Sequence, residues 1–482
     1  MRLGHTEALP RGEGWPIDLR VASLWGVGAL VAAGVGYVAG TEPIIVLALF
    51  VLLAAGAFVL VSFQQPRWAL VVGLFLAWGY VPDVASLYHG NGLPLTGALL
   101  AFLALPLCIS HAVRHERFRV PSAELGLVIA LALAMVVSTV NSADASAGVP
   151  RLVLFLKDAP FMLLMLLVLD RTVWLRRAVW AAVIACGGLG ALAVFQQVTG
   201  TYDLFYFGFA TAHFAEGLIR SSGPLSPDAF GWVLVPVTVL ALYSGLATEK
   251  LSIRILSFSL FGFSFLGLIL SFARASLIAI CVALVLAALL RRVRPATVGL
   301  GIAVGAAALV LFLPGAAKDR LVQTVAPFRE GGVAAASDAS VRGRTGENLA
   351  AVHMFLNHPY LGVGPGNYPV LYTRYSQTIA LDSRNEGRHP HNLYLEYFAE
   401  TGLVGGLLLL GLIVLALRGA WRARRVFTGR DRLFAEGVFV ALVGYFVNGI
   451  FLHPSAYSRY LWLVLGFGLV CGRLAQSKEA TR

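Results

Sequence analysis

Apolar residues in this chain come in continuous blocks of about 16–22 rather than in stripes, the length that crosses a bilayer core of about 30 Å as a helix. The blocks fall at 21–39, 43–62, 68–82, 93–110, 121–140, 152–169, 177–198, 228–247, 253–271, 275–290, 296–314, 402–417, 433–452 and 459–473. Those at 68–82 and 459–473 are short enough for tilted or re-entrant helices. None alternates apolar with polar residues, as the strands of a β-barrel would. The expected fold is all-α: a polytopic membrane protein with about 12–14 transmembrane helices and one large, partly helical external loop.

Two polar segments interrupt the blocks, 199–227 and the much longer 315–401. The chain therefore divides into a cytoplasmic N-terminus (1–20), eleven spans (21–314), the large external loop (315–401), three more spans (402–473) and a cytoplasmic tail (474–482). Within the loop, ENLAAVHMFLN (347–357) reads as a short amphipathic helix with Leu349, Val352, Phe355 and Leu356 on its apolar face. HPYLGVGPGNY (358–368) reads as a turn-rich exit whose glycines suit close backbone approach. Residues 330–343 are expected to be mobile.

Composition agrees with a membrane protein. Of 482 residues, 58% are hydrophobic and only 13% charged, too few charges to cover a soluble surface. The net charge of +12 would hint at nucleic acid in a soluble protein. Here it is a topology signal, and no nucleic-acid partner is expected. With the N-terminus inside, most lysines and arginines fall in cytoplasmic segments, among them Arg114, Arg117, Arg119, Arg171, Arg176, Arg177, Arg422, Arg424 and Arg425. Both termini then lie in the cytoplasm. Cys108, Cys186, Cys281 and Cys471 all lie in apolar segments, so no disulfide or metal cluster is expected from them. No cleavable signal peptide is expected, because the first apolar block is long enough to stay as a span.

Charges on the external side then need a reason. Arg274, in SFARASL (271–277), sits between two spans joined by almost no loop. Arg220 opens RSSGPLSPDAFG (220–231), where Ser221, Ser222, Gly223 and Ser226 are small neighbours and Asp228 is placed to cap the next helix. Two guanidiniums on one side of the membrane can grip a phosphate or pyrophosphate, or snorkel to lipid headgroups. Arg344 can join the same anion or pair with Glu347. His391, in HPHN at the mouth of the span from 402, titrates near neutrality and can take a proton from a sugar hydroxyl. His389, Asn392, Tyr394 and Glu396 are expected to surround it. His389 and His391 could instead bind zinc, but no matching ligand set at metal spacing is evident.

Taken together, RSSGPLSPDAFG, SFARASL, Arg344 ahead of HPYLGVGPGNY, and HNLYLEYFAETGLVG (391–405) resemble the O-antigen ligase/polymerase superfamily of bacterial membrane glycosyltransferases. The similarity covers about 220–420. It implies a GT-C-like fold in the bacterial inner membrane with the active site on the periplasmic face. It also implies inverting, metal-independent glycosyl transfer from an undecaprenyl-pyrophosphate-linked glycan, with no cofactor. His391 matches the histidine that activates the acceptor hydroxyl, Arg220 and Arg274 match the arginines that hold the donor pyrophosphate, and Arg344 matches an arginine of the large loop. The family is described with twelve spans. Ligation to lipid A-core, polymerisation of repeat units and protein O-glycosylation share this chemistry and stay open, with ligation preferred. The competing class is a transporter or flippase for an anionic glycolipid, which would place its polar groups at mid-membrane.

Overall fold

Among the described residues, the first break in an expected span comes at residues 79–80. There α1 (Pro66–Trp78) gives way to α2 (Val81–Val84), and the segment Val81–Tyr88 is bent by 57° from α1. Tyr80 takes a left-handed backbone (φ 60°) and Pro82 starts the second segment, so the helix cannot run straight through. The block at 68–82 is thus one broken span or a re-entrant loop. The computed structural model describes residues 62–89, 95–113, 122–215, 218–293, 339–379, 387–453 and 458–481. The expected spans 21–39 and 296–314, and all but the last residue of 43–62, lie outside them.

After α2 come α3 (Leu95–Val113), α4 (Ser122–Val140), α5 (Ala145–Val168) and α6 (Thr172–Thr199). The polar segment that follows is not helical. It forms a two-stranded antiparallel hairpin, β1 (Thr211–Ala215) and β2 (Leu218–Gly223), the only sheet among the described residues. Next are α7 (Pro227–Leu246), α8 (Leu251–Leu270) and α9 (Arg274–Leu290). The large loop contributes α10 (Ala339–Asn357) and α11 (Asn367–Ser376), and the chain ends with α12 (Leu393–Val426), α13 (Gly429–Asn448) and α14 (Ser458–Ala480). Six of the described helices are long and apolar enough to cross a membrane, or seven with the bent pair. The chain is an all-α, multi-pass membrane protein.

Residues from Gln65 onward pack as one unit around α7, which is buried almost along its whole length and contacts α6, α8, α9 and α13. Lipid tails are as apolar as the side chains, so close helix packing depends on small residues. A Cβ on Gly190 of α6 would lie 2.5 Å from the Phe263 carbonyl oxygen of α8, and one on Gly472 of α14 would lie 2.8 Å from the Cα of Gly419 of α12. One buried guanidinium adds a polar tie. Arg459 of α14 donates to Asp83 of the bent pair (3.0 Å), to Asp158 of α5 (3.3 Å) and to Thr96 of α3 (3.1 Å). A charge this deep is stable only with such partners.

The break that matters most for the site lies in α12. Gly402 takes φ 64°, ψ −163°, so the helix from 393 is interrupted where the sequence places the start of a span. The freed carbonyls do not stay empty. Val363 N–H donates to the Ala399 carbonyl (2.9 Å) and Gly364 N–H to that of Glu400 (2.9 Å), while Leu403 N–H donates to the Pro359 carbonyl (2.7 Å). The turn-rich motif 358–368 is therefore the plug of a broken helix. Its glycines are needed for contact: a Cβ on Gly362 would meet the Glu400 carbonyl carbon at 2.4 Å, and one on Gly402 the Tyr360 carbonyl carbon at 2.3 Å. Asn367 then anchors the plug to the α4–α5 turn, accepting from Asp144 N–H (2.9 Å) and donating to the Asp144 carbonyl (2.9 Å).

Two expectations for the large loop change. Helix α10 begins at Ala339, so the end of the segment expected to be mobile is helical; residues 330–338 lie outside the described part. Its buried face is also different: Ala350, Ala351 and Met354 are inaccessible, whereas Leu349 and Leu356 are exposed. Ala350, Ala351 and Met354 pack with Tyr368 and Tyr372 of α11 and Ala399 of α12. The aromatic rings fill the interface, so the helix presents its small side chains to them.

Gly402→Ala should lower the thermal midpoint of the detergent-solubilised protein by several degrees, because both the left-handed φ and the 2.3 Å contact oppose a Cβ. Gly411→Ala, on the same helix with nothing within 4 Å, should leave the midpoint unchanged or raise it, by about 0.5–1 kcal/mol in stability. Equal midpoints for the two variants would show that the plug does not constrain residue 402.

Candidate functional site

Strand β2 and the N-terminus of α7 place the first cation. Arg220 is 8% exposed; its Nε–H donates to the Ser271 carbonyl (2.9 Å) and its Nη2 to Asp228 Oδ1 (2.6 Å). The bond to Ser271 ties Arg220 to the turn that leads into α9, three residues before Arg274. Phe272 in that turn has φ 49°, which reverses the chain between α8 and α9. Arg344, from α10, approaches the other oxygen of Asp228 at 3.4 Å. Asp228 is therefore a bridge between two arginines. It is not the cap expected from the sequence: Ser226 caps α7, accepting from Ala229 N–H (3.4 Å). The carboxylate is drawn off by two guanidiniums, and a hydroxyl two residues earlier replaces it.

This end of the site remains cationic. Arg220 and Arg344 share the one bridging carboxylate, and Arg274 opens α9 three residues after Ser271. A guanidinium has five N–H groups, and Arg220 commits two of them to Ser271 and Asp228.

His391 lies on the HPHN segment just before α12. Asn392 caps that helix, its side-chain oxygen accepting from Tyr394 N–H (2.9 Å) and Leu395 N–H (3.0 Å). Tyr394 donates from its hydroxyl to the Phe446 carbonyl (2.8 Å), and Leu393 N–H donates to the Gly449 carbonyl (2.8 Å). These bonds fix the loop on α13. His391 Nδ1 then lies 2.7 Å from Oε2 of Glu347, whose side chain is 2% exposed. Glu347 sits three residues after Arg344 on α10, one turn along the same face. Arg220, Arg344 and His391 all lie close enough to Asp228 to act on it, so the arginine end and the histidine lie around one centre. The sequence allowed Arg344 to pair with Glu347. The structure instead gives Arg344 to Asp228 and Glu347 to His391.

His389 points elsewhere. Its Nδ1 is 3.5 Å from Glu396 Oε1 and 3.5 Å from Arg151 of α5, and its ring stacks on His453 with centroids 4.9 Å apart. His453 also meets the His391 ring edge to face at 5.5 Å. Burial holds His453 well below the usual histidine range, at about 4, so it is an uncharged ring between the two others at neutral pH. His389 and His391 therefore do not form the zinc pair weighed from the sequence; they face different carboxylates. The sequence did not point to Glu347 as the partner of His391, to Asp228 as a bridge, or to Arg151 and His453. His453 follows α13 and Arg151 lies on α5, both far along the chain, so no local spacing signals them.

Asp228→Asn should keep the fold but leave two guanidiniums facing a neutral amide. A fully buried pair broken this way costs about 3–5 kcal/mol, and the partial exposure of Asp228 should reduce that to about 2 kcal/mol. Thermal unfolding in detergent measures it. An unchanged midpoint would mean that Asp228 does not balance Arg220 and Arg344.

No curated protein matches the chain. Residues 258–410, which carry Arg274, Arg344, Glu347 and His391, match the O-antigen ligase family. Arg220 and the hairpin lie before the matched segment. Over that segment, which carries most of the site, the chain is similar to the O-antigen ligase family.

Proposed function

We propose that this protein is a membrane glycosyltransferase of the O-antigen ligase type. It moves a glycan from a polyprenyl-pyrophosphate donor, undecaprenyl in bacteria, to a hydroxyl of a glycan or lipid A-core acceptor at the outer face of the inner membrane. The observation that carries this reading is the His391–Glu347 pair beside the arginines that share Asp228.

Glu347 accepts the Nδ1–H of His391, which selects the tautomer with a lone pair on Nε2. That nitrogen takes the proton of the acceptor hydroxyl as the oxygen attacks the anomeric carbon. The bond from that carbon to the pyrophosphate oxygen breaks on the opposite face, so the configuration inverts. Negative charge collects on the departing pyrophosphate, where Arg220, Arg274 and Arg344 stabilise it. The donor phosphates compete with Asp228 for these guanidiniums. No acid is needed on the leaving side, because pyrophosphate leaves as an anion. Neither this step nor its charge balance calls on a metal. Polymerisation of repeat units would use the same step with a different acceptor.

The test incubates purified protein with a polyprenyl-pyrophosphate glycan and an acceptor glycan and measures the polyprenyl pyrophosphate released. His391→Ala should reduce release by about 10²–10⁴-fold. Glu347→Gln should reduce kcat by about 10²-fold with little change in KM, since it acts through His391. Release that survives in His391→Ala rules out the base. Lipid movement across vesicles without release favours the transport class.

A further inference from the structure

Beside the reacting centre, the protein buries a second cluster that the transfer chemistry does not use. Glu396 has its side chain 5% exposed, and neither of its oxygens has a hydrogen-bond partner. Its nearest cationic groups are His389 at 3.5 Å and Arg151 at 3.9 Å, and a carboxylate this deep without a hydrogen bond is costly unless something closer completes it. One nitrogen each from His389 and His453 and one oxygen of Glu396 lie within 4.8 Å of one another. His389 Nδ1 and Glu396 Oε1 are already 3.5 Å apart, close to the spacing of two ligands on one tetrahedral ion with bonds of about 2.0–2.2 Å.

The charge balance of the pocket points the same way. Arg151, Glu396 and Glu400 line one cavity between α4, α5 and α12, with Pro365 of the plug and Trp462 of α14 closing it. Glu400 Oε1 is also buried without a hydrogen-bond partner. One guanidinium faces two carboxylates one helical turn apart, and a cation at Glu396 would relieve their mutual repulsion. Arg151 lies 3.9 Å from Glu396, too far for a hydrogen bond, and within reach of the cavity wall formed by Glu400.

We propose that His389, Glu396 and His453 bind one divalent first-row cation, zinc by the type of the ligands, with Arg151 turning to Glu400 when the ion is present. Two imidazoles and a carboxylate are a common zinc set, and water or Glu400 supplies the fourth position. The site is structural. Its ligands come from the HPHN segment, the first turn of α12 and the loop after α13, so the ion would clamp the loop that carries His391 to both helices. It touches neither Arg220 nor Arg344 and takes no part in breaking the sugar–phosphate bond. The inference does not rest on the proposed transfer reaction, because binding can be read without any glycan.

The experiment strips the purified full-length protein with chelator, titrates it with Zn2+, and measures bound metal by elemental analysis after desalting. Co2+ substitution reports ligand geometry through its visible absorption. One equivalent per chain should bind, with a tetrahedral Co2+ spectrum and a rise in the thermal midpoint. Glu396→Gln and His453→Ala should lose the equivalent, the spectrum and the rise. His358→Ala, an exposed histidine outside the cluster, should keep all three. Variants that stay monodisperse in detergent without metal show that lost binding is not lost folding. A wild type that binds no metal overturns the proposal and leaves a proton as the missing charge. Equal binding by the Glu396 and His453 variants overturns it too, because the metal would then sit elsewhere.

Discussion

The broken turn of α12 is the constraint on which the site depends. A helix that stops at Gly402 exposes carbonyls that lipid cannot satisfy. Here two amides of the 358–368 turn take them, and the returning Leu403 amide bonds to the turn itself. That exchange seats α10 and α11 against α12. Glu347 thereby arrives beside His391, and Arg344, one turn earlier, beside Asp228. A straight helix would have no need of the plug, and nothing would hold the two halves of the site in register.

Charge is handled at this site by sharing acids among cations. Asp228 holds two arginines at a distance from each other that neither would keep alone. Glu347 does for His391 what a hydroxyl could not, since it is a fixed acceptor that favours one tautomer. Behind them the balance fails: Glu396 and Glu400 outnumber the guanidinium they face. Both carry buried oxygens without a hydrogen bond, close to the loop that holds His391.

Much of the fold was legible because the bilayer imposes a length. Apolar blocks at 121–140, 177–198, 228–247 and 253–271 correspond to α4, α6, α7 and α8 to within a few residues. The block at 402–417 starts at the break in α12, which continues to Val426 through arginines and is preceded by the helical segment from Leu393. Hydropathy sees neither a basic extension nor a kink. The hairpin at 211–223 was missed, being short and without the alternation that marks a strand. The buried face of α10 does not follow its large apolar residues, because Tyr368 and Tyr372 pack against Ala350, Ala351 and Met354.

By itself, the sequence determined the class of protein, the helices wherever a block matched the membrane, and the polar residue types, arginines and a histidine, that gather in the candidate site. These follow from solvation and from local chemistry, which each residue carries wherever it stands. Only the tertiary structure decided who pairs with whom. Asp228 could cap or bridge, and Glu347 could take Arg344 or His391; the choice falls to distances set by α7, α10 and α12 together. His453 joins His389 and Glu396 from the far side of α13. Pairings of this kind depend on where separate helices meet, and that information is spread over the whole chain rather than written in any one motif.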